Sequence, residues 1–181
     1  MKNEKNVSGK NIKGFTLIEV LVVVLIIGIL AAIAVPQYKL AVAKVRISAL
    51  IPVLRSIQQA QERYYMANGE FAADIHNLDV TCAAFGTGAH ENWCYLDKKG
   101  TSRAHLGLSD TTPYKRGHIV GQDNRVEGVH LYYFFYNNTS SASCYALDGN
   151  NEEFNNRVCQ SLSGLSEPSS RIIGANVYKL W

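Results

Sequence analysis

The sequence predicts an α+β protein in which a long N-terminal helix packs on an antiparallel β-sheet. Three observations predict this fold: an apolar run over residues 15–35, an apolar stripe with helical spacing over 40–64, and an aromatic, β-favouring stretch over 129–136. The helical patterns come first and the strand patterns follow. This segregation is typical of α+β proteins, whereas α/β proteins alternate the two.

The apolar run has the length of a membrane-spanning helix. Its 21 residues would rise about 31 Å, close to the hydrocarbon thickness of a bilayer. Because a soluble core would have to cover such a helix on every side, we interpret it as a membrane span rather than a buried helix. Thr16 and Glu19 are its only polar residues. A charge at the centre of a bilayer costs roughly 2.5–3.5 kcal/mol, so Glu19 needs an explanation.

The residues before the run predict its orientation. The leader is basic and contains Lys2, Lys5, Lys10 and Lys13. Positive charge on this side favours a cytoplasmic N-terminus, with the rest of the chain beyond the membrane. The run is longer than the apolar region of an ordinary signal peptide, and the helical pattern continues past Pro36. We therefore expect the apolar segment to be retained and any cut to lie on its N-terminal side.

Beyond Pro36 the helix becomes amphipathic. Apolar residues recur at helical spacing and form a stripe: Leu40, Ala43, Ile47, Leu50, Leu54 and Ile57. Gln61 interrupts this stripe, and Tyr64 resumes it. The pattern predicts one helix from about Phe15 to Ala67, with an amphipathic half over 36–68, ended by Asn68-Gly69. Pro36 should bend or loosen it, and Pro52 predicts a second, gentler kink to which we assign no role.

The start of the apolar run carries a specific family resemblance. Gly14-Phe15-Thr16-Leu17-Ile18-Glu19, with the stretch 28–38 that ends in Val35-Pro36-Gln37-Tyr38, resembles type IV pilins and pseudopilins. The resemblance implies that a prepilin peptidase cuts between Gly14 and Phe15, removes leader 1–14 and methylates the new amino group of Phe15. It also implies that Glu19 pairs with the N-terminal amine of a neighbouring subunit.

Pairing with a cation would relieve the cost of the buried Glu19 carboxylate, and would thus favour the correct axial register of subunits. The alternative is that Glu19, near the helix end, simply reaches the lipid headgroups. The resemblance further suggests that the stretch between Gly28 and Pro36 can melt when the helix enters a filament.

The resemblance also implies a function. We expect a pilin-like fold and a structural subunit of a type IV pilus, in a helical homopolymer of identical or related subunits. Its other partners would be the prepilin peptidase and the inner-membrane assembly machinery. The chain would cross the inner membrane once before assembly and lie in the extracellular pilus afterwards. No cofactor is implied. A type II secretion pseudopilin is the alternative, although Val35-Pro36-Gln37-Tyr38 favours a pilin.

A membrane-tethered enzyme is the alternative from a different class. It would need a catalytic constellation, and the sequence has no nucleophile elbow, metal motif or phosphate loop. Net charge gives no support to nucleic-acid binding either. The formal charge is +3, but removal of leader 1–14 leaves 14 basic and 14 acidic residues. The basic character is therefore a feature of the leader, and nucleic acid is not indicated as a partner.

Residues 70–181 are expected to form one β-rich globular domain. Its clearest strand is Val129 to Tyr136, and Ser143 to Leu147 should return beside it as a hairpin. Weaker strand signals lie at 93–96 and 177–180. The aromatic side chains of 129–136 are interpreted as core on one face and subunit contact on the other. A carbohydrate- or nucleic-acid-stacking surface is the competing interpretation.

Four cysteines, Cys82, Cys94, Cys144 and Cys159, predict disulfides in an exported domain. Three pairings are possible, and we favour Cys82–Cys94 with Cys144–Cys159 because each closes a short, polar loop. No Cys-x-x-Cys spacing supports zinc. The segment 148–153 is interpreted as a solvated loop rather than a calcium site, since its spacing does not match an EF-hand. Residues 137–140 contain two overlapping matches to a glycosylation motif.

Overall fold

The computed structural model describes residues 14–86, 92–109, 116–136, 139–149 and 151–181. Leader residues 1–13 and the predicted acceptors Asn137 and Asn138 lie outside these ranges. The chain divides into two compact units, one up to Tyr38 and one from Lys39 to Trp181. The α+β class with an antiparallel sheet is confirmed.

The described residues form three α-helices and eight strands. The helices are α1 (Leu17–Ser48), α2 (Leu50–Asn68) and α3 (Glu152–Ser163). The strands are β1 (Ala84–Phe85), β2 (Trp93–Tyr95), β3 (Ser102–Ser109), β4 (Arg116–Asp123), β5 (Val129–Tyr136), β6 (Thr139–Leu147), β7 (Ser170–Ile172) and β8 (Ala175–Lys179).

In the N-terminal unit, α1 presents apolar side chains to its surroundings. Every described residue from Gly14 to Tyr38 is exposed, and the helix continues through Gly28 and Pro36 without a break. By length and composition alone, one helix of the described chain could cross a membrane, and the most apolar window of that helix has no buried residue. An exposed apolar surface of this kind requires lipid or protein around it.

The predicted single helix is divided near its middle. The break falls at Ala49, three residues before Pro52. Because proline has no N–H, the Ser48 carbonyl loses its helical partner there. The break is slight, since the Ala49 N–H still donates to the Val45 carbonyl at 3.1 Å. Gly69 then ends α2 with a φ of 75°, and its N–H donates to the Tyr65 carbonyl at 2.8 Å.

Within the C-terminal unit, the predicted apolar stripe forms the centre of the core. Five of its residues are at most 4% exposed: Ala43, Ile47, Leu50, Leu54 and Ile57. Gln61, which interrupts the stripe in the sequence, is fully buried as well. Its side-chain amide donates to the Ala72 carbonyl and accepts from the Ala72 N–H, both at 2.9 Å. This pair of bonds fastens the segment after α2 to the helix without leaving a buried polar atom unpaired.

The sheet is antiparallel throughout and has the strand order β1-β2-β3-β4-β5-β6-β8-β7. Helix α2 packs on β3, β4 and β5, and α3 packs on β5, β6 and β8. We call the face that these helices cover the inner face. The predicted β5 has the observed bounds, whereas β6 begins at Thr139, four residues before the predicted Ser143. Strands β3 and β4 are not predicted, because they lack β5's density of aromatic residues.

The interpretation of residues 148–153 as a solvated loop is wrong for Glu152 and Glu153. Helix α3 begins at Glu152, and its buried side packs Val158 and Cys159 into the core, with Phe154 and Leu162 partly buried beside them. The acidic first turn suits a helix N-terminus, and Gly164 ends the helix with a φ of 75°. Both signals are present in the sequence. The polarity of the segment conceals them, because α3 is a surface helix with one narrow apolar stripe.

Both disulfides join the favoured cysteine pairs. Cys82 is bonded to Cys94 of β2, and Cys144 of β6 is bonded to Cys159 of α3. The second bond therefore ties a strand to a helix, rather than closing an irregular loop. Since Cys144 and Cys159 are fully buried, this bond is part of the contact between α3 and the sheet.

The turn between β4 and β5 is held by an ion pair between a buried carboxylate, Asp123, and the half-exposed Arg125. The Asp123 side chain is 1% exposed. It accepts from the Arg125 backbone N–H and Nε, both at 2.8 Å, and from the Ser102 hydroxyl at 2.7 Å. Burial alone would raise the pKa of Asp123. The bonds from Arg125 and Ser102 outweigh burial and lower the pKa to about 2.

We predict that Gln61→Ala destabilises the C-terminal unit. The substitution leaves the Ala72 N–H and carbonyl buried without partners, which costs about 2 kcal/mol of unfolding free energy. Denaturant unfolding of the full-length chain in detergent, followed by circular dichroism, measures the change. Gln59→Ala, at an exposed position of the same helix, is the matched control and should change stability little. Equal stabilities of the two variants would contradict the role of Gln61.

We also predict an acid-dependent contribution from Asp123. Its folded pKa of about 2 lies below the ordinary value of 3.8, so the unfolded chain takes up the proton first. The stabilisation is therefore complete above pH 3.8 and is lost as pH falls toward 2. The unfolding free energies of wild type and Asp123→Asn should differ at pH 7 and converge over that acidic range. A difference that does not change with pH would contradict this assignment.

Candidate functional site at the start of the first helix

The residues singled out for processing and assembly lie together at the start of α1. Gly14, Phe15 and Thr16 precede the helix, which begins at Leu17. Glu19 lies in the first helical turn. Phe15 is 87% exposed, and Gly14 and Glu19 are exposed as well. The Gly14–Phe15 peptide bond is therefore outside the helix and accessible from solvent.

Thr16 and Glu19 form a reciprocal helix cap. The Thr16 backbone N–H and the Thr16 hydroxyl both donate to Glu19 Oε2 at 2.7 Å. The Glu19 N–H lies 3.3 Å from Thr16 Oγ, to which it donates. A capping box has this arrangement: a Ser or Thr and a Glu three residues later satisfy each other's free N–H groups. In the single chain, Glu19 thus has an internal partner.

The cap also places the carboxylate favourably with respect to the helix. The first N–H groups of an α-helix lack carbonyl partners, and the helix dipole puts partial positive charge there. The Thr16 carbonyl accepts the first helical bond from Val20 at 3.4 Å, which makes Thr16 the N-cap. Glu19 is therefore stabilised at this end of the helix by geometry and by charge.

Sequence reasoning missed the role of Thr16, although the signal is present. Thr16-x-x-Glu19 before an apolar run matches the capping-box pattern. In the sequence, Thr16 is one neutral polar residue in an apolar run, and its energetic cost there is smaller than that of the charged Glu19. The Thr16 hydroxyl supplies the local hydrogen-bond donor that the Glu19 carboxylate needs in apolar surroundings.

The other predicted site residues lie elsewhere. Gly28 and Pro36 are further along α1, and a Cβ at Gly28 would meet nothing within 4 Å. The four cysteines belong to the C-terminal unit. Among the described residues, no group of three or more His, Cys, Asp or Glu side chains could hold a metal ion. Of the acidic segment 148–153, Asp148 and Glu152 lie 3.0 and 3.7 Å from the Arg171 guanidinium.

Comparison with known proteins places the same residues in a family. The profile described as the prokaryotic N-terminal methylation motif matches residues 9–35. Fimbrial protein EcpC of Eikenella corrodens is 35% identical over 65% of this chain and 74% of its own length. A fimbrial protein of Pseudomonas aeruginosa is 41% identical over 65% of this chain and 82% of its own length.

A third relative covers mainly the helical part. Type IV major pilin protein PilE of Neisseria gonorrhoeae is 40% identical over 40% of this chain and 43% of its own length. No solved structure matches the chain significantly. The similarity is therefore broadest to the two fimbrial proteins, and the methylation motif includes Gly14, Phe15 and Glu19.

We predict that Thr16→Val opens the first turn of α1. The substitution keeps the side-chain volume but removes the hydroxyl, and the loss of an N-cap costs about 1 kcal/mol. Hydrogen exchange of the Glu19 amide, in the full-length chain in detergent micelles, should accelerate about fivefold. Thr16→Ser retains the hydroxyl and should exchange as the wild type does. Equal protection in the valine and serine variants would show that the hydroxyl does not cap the helix.

Proposed function

This chain belongs to the type IV pilin family and is a structural subunit of a type IV pilus, and from that premise we propose that Glu19 directs its assembly. The observation that carries the proposal is the position of the Glu19 carboxylate, in the first turn of an exposed apolar helix and next to the Gly14–Phe15 bond. A cut at that bond would create a positively charged amine four residues before Glu19.

The processing step requires an accessible peptide bond. Gly14 and Phe15 lie before the helix and are exposed, and Gly14 has no side chain to obstruct a peptidase. We assign the cut to a prepilin peptidase that removes leader 1–14 and methylates the amine of Phe15. The basic leader would lie on the cytoplasmic side, with the C-terminal unit on the other side of a single inner-membrane span.

Assembly then exchanges one partner of Glu19 for another. Before assembly, the carboxylate accepts two hydrogen bonds from Thr16, which lowers the cost of holding it in lipid. In the filament, the methylated amine of Phe15 from a neighbouring subunit approaches the same oxygens. The amine carries a full positive charge, so it adds a Coulombic attraction that the neutral Thr16 donors lack. This attraction is strong where water is excluded, so the exchange favours the assembled state. The correct axial register is the one that brings the two groups together.

The helix has a segment that could extend during assembly. Pro36 has no N–H to donate to the Ala32 carbonyl. Gly28 has a lower helix propensity than the aliphatic residues around it in α1. We propose that the stretch from Gly28 to Pro36 melts when neighbouring helices replace lipid around it.

The proposed partners follow from this scheme. They are identical or related pilin subunits, the prepilin peptidase and the assembly machinery of the inner membrane. A pseudopilin of a type II secretion system is disfavoured, since the relatives are named fimbrial proteins and pilins. Those names describe structural proteins, and we assign the chain no catalytic role.

Processing predicts a defined mature mass. The cellular protein should lack residues 1–14 and carry one methyl group on the amine of Phe15. Intact-mass analysis with N-terminal fragment sequencing measures both. Gly14→Glu places a bulky charge at the scissile bond and should leave the leader attached. An uncut wild-type chain in pili would contradict the proposed processing.

Assembly predicts a selective defect in Glu19→Ala. The variant should insert into the membrane and be processed, because the apolar run and the scissile bond remain. It should form few or no filaments, since the register-setting pair is missing. Electron microscopy of surface filaments, with immunoblots of membrane fractions, separates assembly from insertion. Glu70→Ala, which removes an exposed carboxylate from the other unit, is the control. Normal filaments from Glu19→Ala would remove the role we give this residue.

A further inference from the structure

The face of the sheet opposite α2 and α3 is built from rings and hydrogen-bonding groups. Alternation along β5 puts Val129, Leu131, Tyr133 and Phe135 in the core, and the residues between them point the other way. We call this second surface the outer face. It is formed by ten half-buried residues from five adjacent strands: Trp93, Tyr95, Arg103, His105, His118, Gln122, His130, Tyr132, Phe134 and Tyr145.

The rings of the outer face contact one another across the strands. Tyr132 is central: its ring centroid lies 4.3 Å from Tyr145, 5.8 Å from Phe134 and 5.9 Å from His118. Trp93 lies 5.9 Å from His105 on the next strand. The result is two groups of contacting rings, one on β2 and β3 and one on β4, β5 and β6, rather than scattered exposed aromatics.

Gly107 of β3 helps to form this arrangement of rings. A Cβ there would lie 2.2 Å from Nε2 of His118, so only glycine leaves room for that ring. The imidazole therefore crosses over β3 from β4. This fills the space between the rings of β5 and those of β2 and β3.

Polar groups lie between the rings in a connected arrangement. The Arg103 guanidinium stacks 4.0 Å from the centre of the Trp93 ring. In the favourable orientation of the Gln122 amide, its oxygen faces Arg103 and accepts from the guanidinium. Its nitrogen then donates to His130 Nε2 at 3.2 Å. Gln122 engages two of the five guanidinium N–H groups, so others remain to bind a ligand.

The charge of the outer face is small and of one sign. Among these ten residues Arg103 is the only permanent charge and none carries a carboxylate. The exposed Lys179 of β8, which pairs with Ser143, lies on the same side of the sheet. Burial lowers the pKa of His105 to about 4, with smaller effects from the nearby His118, His130 and Arg103. Burial also lowers the pKa of His118 and of His130. At neutral pH the three imidazoles are therefore uncharged; Nε2 of His130 is used by Gln122, and Nδ1 of His105 is buried without a partner.

We propose that the outer face binds an acidic polysaccharide, with its pyranose rings on the aromatic rings and a sugar carboxylate at Arg103. The C–H bonds of a pyranose ring carry partial positive charge and suit the negative faces of aromatic rings. Sugar hydroxyls both donate and accept, as neutral imidazoles and tyrosine hydroxyls do. Arg103 pairs with a carboxylate through two parallel N–H bonds.

Charge distinguishes this ligand from single-stranded nucleic acid. Aromatic layers also stack bases, but such sites add a positively charged groove that follows the phosphates. Affinity for single strands rises with the number of phosphates neutralised, and one arginine neutralises about one. Sugar binding draws its affinity from ring stacking and hydrogen bonds, so one carboxylate at Arg103 is enough, whereas a nucleic acid depends on the neutralisation of several phosphates.

The test uses the full-length protein in detergent, with one of its tryptophans replaced so that the other reports binding by fluorescence. The chain has two tryptophans, so Trp181→Phe leaves Trp93 as the only one. Hexagalacturonate should shift Trp93 fluorescence and bind measurably below about 10 mM. Cellohexaose, which is neutral, should bind more weakly, and oligo-dT should bind more weakly still.

Variants then assign the binding to the outer face. Tyr132→Ala should weaken hexagalacturonate binding about tenfold, because it removes the central ring. Arg103→Gln should bring the affinity down to that of cellohexaose. Tyr65→Ala is the matched control. It removes a tyrosine that stacks on Phe71 beside α2, and it should bind as the parent does.

Several results would overturn the proposal. One is a Trp93 signal that hexagalacturonate does not change, which decides the matter even if Tyr132→Ala fails to fold. Another is tighter binding of oligo-dT, which would make the ligand a nucleic acid. A third is a Trp93 signal that responds in dissolved subunits but not in intact pili, which would mean that neighbouring subunits cover the outer face.

Discussion

A carboxylate inside an apolar helix must have a partner, and this constraint governs the N-terminal part of the chain. In water the charge would cost nothing, whereas in lipid it costs roughly 2.5–3.5 kcal/mol. The Thr16 hydroxyl and backbone N–H supply a partner within the same helix, at 2.7 Å. That partner is neutral, so a cation that replaces it adds a Coulombic attraction to the carboxylate. The amine that the proposed cleavage would free at Phe15 is such a cation.

The C-terminal unit obeys a related constraint at two buried polar side chains, Gln61 and Asp123, which are paired internally. Gln61 is fully buried in a stripe of aliphatic residues, and both of its bonds go to the backbone of Ala72. Asp123 is buried against Arg125 and Ser102 at the β4–β5 turn. These pairs secure the loop after α2 and the turn between β4 and β5. The disulfide between Cys144 and Cys159 secures α3.

The periodicity of apolar residues predicted the long elements that are buried on one face only. The α2 stripe and strand β5 follow directly from it, because each alternates regularly between core and surface. Strands β3 and β4 carry His, Gly and Gln on their outward side, which resembles a loop in composition. Helix α3 was missed for the same reason: only Phe154, Val158, Cys159 and Leu162 face inward. At the candidate site, the sequence located Gly14, Phe15 and Glu19. The role of Thr16 became evident only when its bonds to Glu19 were seen.

The central claim is that Glu19 changes partners on assembly, and the most direct measurement is its position in the filament. A cryo-electron microscopy reconstruction of native pili, at a resolution that shows side chains, would locate the Glu19 carboxylate. We predict that it lies within about 4 Å of the Phe15 nitrogen of an adjacent subunit, the range of an ion pair. A carboxylate still bonded only to Thr16 of its own chain, with no neighbouring amine in reach, would contradict the account.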